Sequence, residues 1–161
     1  MKEEITLLTE ELLQSGNEDD QQVLFQVLSG LKQKNEGKYS SYVGALLNME
    51  KESTSSTCSV SVPVSKKIYN SLGIVHGGIT ATVLDTAMGT LANMLTPEGL
   101  GAVTSQLNIH NVLPVKGETM TATAQLLHQG KKTMVVEGSV ISESGKRLAH
   151  ATGSFYLIEK S

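Results

Sequence analysis

One carboxylate stands apart in this chain. Between residues 21 and 161 the only aspartate is Asp85, within the run HGGITATVLDTAMGTLANML at residues 76–95. Val83, Leu84, Ala87 and Met88 surround it in sequence. A carboxylate among such neighbours is costly unless it is paired or hydrogen-bonded, which makes it a candidate for acid–base work. The alternative is an Asp85 that faces solvent at a helix edge. His76-Gly77-Gly78 opens the same run. Adjacent glycines let a ligand approach the backbone, and the free N–H groups of a helix start favour negative charge, such as a developing oxyanion. They could equally serve only the turn into the helix.

The spacing constrains how these two features combine. Nine residues separate His76 from Asp85, about 13 Å along a helix. One substrate carbonyl cannot reach both ends of that span. Either the two are unrelated, or two chains meet with antiparallel helices and each site takes Gly77 from one and Asp85 from the other. A two-fold dimer does this naturally.

The elements that carry these residues can be read from periodicity. Residues 76–95 are apolar or small nearly all round, which predicts a helix buried on all sides. Residues 3–14 and 18–34 place apolar residues at helical spacing, with acids leading and, in the second, lysines trailing. They predict a two-helix N-terminal extension over residues 1–37, ahead of a domain spanning 38–161. Residues 41–51 and 57–64 alternate and are β-branched, which predicts a hairpin, with Pro63 at an edge or a strand end. Four further strand patterns occupy 101–113, 118–128, 132–142 and 146–158, and short turns join long strands into an antiparallel meander. A long helix with five or six antiparallel strands is an α+β architecture whose sheet must curl around the helix.

Composition removes several function classes. No run of about 18 apolar residues predicts a membrane span. The one cysteine, Cys58, cannot form an intrachain disulfide and reads as a small core residue. The acidic start, MKEEITLLTEELLQSG, does not resemble a secretory signal, so a cytoplasmic protein is expected. The four histidines are scattered without metal-ligand spacing, which predicts no metal, and no phosphate-loop or dinucleotide fingerprint predicts a cofactor. The net charge of −3 divides unevenly: residues 1–20 carry seven acids and one base, leaving the remainder at +3. That is too little for a nucleic-acid partner but suits a small anionic ligand.

Asn70, His76-Gly77-Gly78 and Asp85, in the stretch NSLGIVHGGITATVLDTAMG, together resemble the hotdog-fold acyl-CoA thioesterases of the phenylacetate-degradation and thioesterase-superfamily-member-2 type. The downstream VTSQLNIHNVLPVKGE is similar to the same family's strand ending in Pro and a turn. The resemblance covers about residues 40–158. It implies a hotdog fold and a homodimer with a continuous sheet, often paired into a homotetramer, with sites at the subunit interface. The implied reaction is hydrolysis of an acyl-CoA thioester to acid and CoA without a cofactor. Asp85 would be the base or the nucleophile, and the Gly77 N–H would polarise the carbonyl. Asn70 would hold the carbonyl or the water, and His76 would position the thioester. The family's hydroxyl near the acid falls at Thr104, with Ser105 as the fallback. Gly78, Lys131, Lys132 and Arg147, with Lys146, are candidates for contact with substrate and its phosphates; solvated turn lysines are the plainer reading. Two rivals remain: a non-catalytic acyl-CoA-binding hotdog sensor and an enoyl-CoA hydratase-like hotdog enzyme.

Overall fold

A computed structural model describes residues 1–160 of the chain. They form two compact units, Met1–Met49 with Ser65–Lys67, and Glu50–Val64 with the residues from Ile68 onward.

The first unit is helical. Helix α1 (Lys2–Ser15) stops at Gly16, and Asn17 begins α2 (Glu18–Asn35) with a reciprocal capping box to Asp20. A third helix, α3 (Tyr42–Leu47), lies where the alternating pattern predicts a strand. That expectation is corrected by local chemistry. The Ser41 hydroxyl accepts the Gly44 N–H at 3.1 Å, and Asn48 closes the helix in the left-handed region at φ 52°. Caps at both ends carry a six-residue apolar run into the helix, where alternation alone is ambiguous.

The second unit holds one long helix and one sheet. Strands β1 (Glu50–Ser53) and β2 (Thr57–Pro63) form the hairpin that does exist, shorter on its first arm than expected. Pro63 ends β2, as its missing N–H requires. Helix α4 (Gly77–Leu95) follows, then β3 (Leu100–Asn111), β4 (Thr119–Gln129), β5 (Thr133–Ile141) and β6 (Arg147–Glu159). All pairs are antiparallel, in the order β1-β2-β4-β5-β6-β3. The meander β4-β5-β6 is as the turns predict. β3 lies beyond it at the far edge, beside the last strand rather than beside β4.

Strands β2 to β6 all pack on α4, and Lys51 of β1 reaches Thr90 of the helix with its amine, which a flat sheet could not do. The sheet therefore curls around the helix. Its inner face is small and apolar: Cys58, Val60, Ala122, Ala124, Val136, Ala151 and Phe155 are fully buried. Gly138 leaves room for the helix. A Cβ there would come within 3.1 Å of Leu84 and 3.2 Å of Met88.

The helix is buried on one side only. Val83, Leu84, Ala87, Met88, Leu91 and Ala92 face the sheet, whereas Asp85, Thr86, Gly89 and Thr90 are half-buried and Asn93 and Met94 are exposed. Burial on all sides does not hold for a single copy. Among the described residues, no helix is long and apolar enough to cross a membrane.

Candidate active site

Two places along α4 carry unsatisfied chemistry. The first is its N-terminus. Residues 68–76 form a small loop that delivers the chain to the helix: Tyr69 bridges Val75, Asn70 N–H donates to the Ile74 carbonyl at 2.8 Å, and His76 N–H donates to Ile68 at 2.9 Å. Gly73, at φ +71°, turns its tip. The Asn70 side-chain oxygen accepts the N–H groups of Leu72 (2.9 Å) and Ile74 (3.4 Å). That leaves its amide nitrogen for other work. His76 is the N-cap, and its Nδ1 accepts the Gly78 N–H at 2.9 Å. Gly78 is thereby occupied. Gly77, the first helical residue, keeps its N–H without an acceptor among the described residues, as helix geometry requires.

The second place is Asp85. The Thr104 hydroxyl on β3 donates to its Oδ1 at 2.9 Å. Thr82 and Thr86, the nearest hydroxyls on α4 itself, bond instead to the Gly78 and Thr82 carbonyls. Asp85 lies in an open groove of about 480 Å³ with Thr86, Gly89, Thr90, Asn93 and Met94.

The pairing of Asp85 with Thr104 is set by a residue that sequence reasoning missed. Asn93, two turns further along α4, donates to the Ala102 carbonyl and accepts the Ala102 N–H, both at 2.9 Å. This two-bond clamp fixes β3 on the helix and brings Thr104, two residues on, opposite Asp85. Ser105 is displaced by a bulge between Thr104 and Gln106, and its hydroxyl donates to the Ser154 carbonyl at 3.0 Å. The strand thus presents Thr104, not the fallback Ser105, to the carboxylate.

The basic candidates do not gather in one place. Lys131 and Lys132 are exposed in the turn after β4, at the end where Gln129 bonds the Leu95 carbonyl of α4. Lys146 precedes β6 and Arg147 begins it, at the opposite end. Arg147 lines a small polar recess on the outer face of the sheet with Gln125, Glu137 and His150. There the Gln125 amide and His150, 3.2 Å away, hold the Glu137 carboxyl below its ordinary range. Among the described residues no cluster of three or more potential ligands is placed to hold a metal ion.

A family model described as the thioesterase superfamily matches residues 72–149. The acyl-coenzyme A thioesterase PaaI of Escherichia coli is 34% identical over 100 residues, 62% of this chain and 69% of its own. The chain belongs to the thioesterase superfamily. It is a PaaI-like member with the hotdog fold. The BH2602 protein of Bacillus halodurans, solved with CoA, is 41% identical, covers 95% of this superfamily member and 99% of its own chain, and superposes with a TM-score of 0.88. Acyl-coenzyme A thioesterase 13 of Mus musculus is 42% identical over 69 residues, 42% of this chain and 49% of its own.

Proposed function

We propose that this chain hydrolyses acyl-CoA thioesters to the free acid and CoA. Its sites would lie between two copies, in a homodimer or a homotetramer. The observation that carries the reading is the Asp85–Thr104 hydrogen bond in an open groove, on the same helix as an unpartnered Gly77 N–H. Membership of the thioesterase superfamily and a relative solved with CoA point to the substrate class.

The two-copy site follows from reach. The nine residues from His76 to Asp85 span about 13 Å, too far for one carbonyl. The open side of α4 supplies a face for a second helix. The sheet edges differ in a way that supports the same pairing. β1 is four residues long, EKES, and wholly exposed, the short charged edge that resists strand addition. β3 runs twelve residues at the other edge, with Val103 43% exposed. Pairing β3 with its copy continues the sheet and sets the two α4 helices antiparallel.

In that arrangement Gly77 N–H and the positive end of α4 bind the thioester carbonyl oxygen. The amide nitrogen of Asn70 holds the carbonyl or the water, and His76 Nδ1 fixes the backbone that presents Gly77. Asp85 of the other copy, oriented by Thr104, takes a proton from water as the oxygen attacks the carbonyl carbon. The tetrahedral intermediate collapses with cleavage of the C–S bond, and the CoA thiolate departs without a strong acid. The same geometry allows Asp85 to attack directly as nucleophile, with water resolving the anhydride. The test is thiol release from short, medium, aromatic and long acyl-CoAs. Asp85→Asn should lower kcat about 10²–10⁴-fold; an unchanged kcat on every hydrolysed ester would refute the assignment.

A further inference from the structure

We infer that Asn111, at the end of β3, donates a second hydrogen bond to the thioester carbonyl alongside the Gly77 N–H. This rests on the thioesterase reading and assigns a residue that the motif does not contain.

The placement comes from strand alternation. His110 pairs with His150, and His150 lies on the outer face of the sheet with Glu137. Asn111, one residue on, pairs with Ala149, which is buried on the inner face. Asn111 is therefore turned towards the start of α4. It comes so close that a Cβ built on Gly77 would lie 3.2 Å from Asn111 Nδ2. Glycine at position 77 leaves the gap between backbone and amide open.

The chemistry of that gap points to an acceptor. The Asn111 side chain has no hydrogen-bond partner among the described residues, and neither has the Gly77 N–H. Both border a cavity of about 240 Å³ whose other walls include Ile74, Val75, Val112 and Leu113. These walls offer no side-chain acceptor. Thr80, also at the cavity, has its hydroxyl directed at Met120 Sδ, 3.7 Å away. The Asn70 side-chain oxygen is engaged in its own loop. Three N–H donors therefore border the cavity, the Gly77 N–H and the amide nitrogens of Asn111 and Asn70, with the Asn70 nitrogen left to the water when Asn111 takes the carbonyl. A carbonyl oxygen has two lone pairs, and its charge grows in the transition state, where two converging N–H groups act most strongly.

The experiment compares wild type, Asn111→Leu and Asn111→Asp in thiol release from short, medium and long acyl-CoAs, with thermal melting of each protein. Asn111→Leu removes the donor at similar volume; Asn111→Asp keeps the shape and puts an anion where an amide stood. The expected result is a fall in kcat on the order of 10²-fold for Asn111→Leu on every chain length. KM should change little, melting should be preserved, and the loss in Asn111→Asp should be at least as large. A wild-type kcat in Asn111→Asp, or a loss confined to one chain length, overturns the inference. A loss in both variants that tracks a fall in melting temperature also overturns it. The underlying reading fails separately: it falls if Asp85→Asn keeps full thiol release, whatever Asn111 does.

Discussion

Gly77→Pro removes one N–H from the start of α4 while keeping the helix start in place. Gly77 is the first residue of α4, the position at which proline fits a helix because the missing N–H has no intrahelical acceptor. Proline also restricts the residue before it to extended backbone, and His76 is already there, at φ −64° and ψ 130°. The His76 carbonyl still accepts the Ile79 and Thr80 N–H groups, at 2.9 and 3.1 Å, so the first turn keeps its bonds. A Cβ at position 77 would lie 3.2 Å from the end of the Asn111 side chain; that side chain is exposed and can shift, which adds to the catalytic loss rather than to the folding cost. The folding cost should therefore be small. The catalytic cost should not. Deleting one oxyanion donor typically loses about 10²–10³ in kcat, or about 2.7–4 kcal/mol of transition-state stabilisation. Thiol release should show that loss with a KM near wild type, and circular dichroism should show an unchanged melting transition. A Gly77→Pro protein that keeps wild-type kcat would remove the Gly77 N–H from the mechanism.

Thr104→Val keeps the shape of the side chain and deletes the 2.9 Å bond to Asp85. A hydrogen bond to a carboxylate is worth about 1.5–3 kcal/mol, and exposure of Thr104 in the free chain places it at the low end, so kcat should fall about tenfold; Ser105→Ala, assayed beside it, should be near neutral. Glu137 tests the outer face instead. Bonds from Gln125 and His150 lower its pKa from the ordinary 4.5, so its stabilising contribution is present above that value and disappears as pH falls through the lower folded-state value. Melting curves from pH 7 down to pH 3 should therefore fall less steeply for Glu137→Gln than for wild type, although the variant starts lower at pH 7. Parallel curves would mean that the Glu137–His150–Gln125 cluster does not contribute to acid unfolding.

What could be read in the sequence was whatever depends on neighbours along the chain. The stop at Gly16, the helix opening at His76-Gly77-Gly78, the strand end at Pro63 and the turns of the β4-β5-β6 meander are all local. Thr104 is different: the family resemblance points to it, and its position opposite Asp85 depends on the Asn93 clamp across β3. What escaped depends on partners remote in sequence or on caps that outweigh a pattern. Ser41 and Asn48 turn an apolar run into α3. β3 crosses to the far edge because it pairs with β6, more than forty residues away in Thr104↔Phe155, and no local pattern encodes that choice. Asn93 and Asn111 look like ordinary polar residues of a helix and a strand. Only the packing of β3 on α4 shows that one clamps the strand and the other meets Gly77. The all-round apolar character of α4 was legible, but its meaning was not. Its small residues face the sheet on one side and, on the other, a surface that a single copy leaves open.

In the proposed mechanism Gly77 and Asp85 act together only across two copies. Co-expressing Gly77→Pro and Asp85→Asn chains under different affinity tags, and purifying through both tags, isolates assemblies that contain one of each. In a mixed dimer the intact Gly77 of one chain faces the intact Asp85 of the other at one site, and the second site carries both lesions. Thiol release should return to roughly half the wild-type value, although each variant alone is nearly inactive. Mixed assemblies no more active than the parent variants would contradict the shared site.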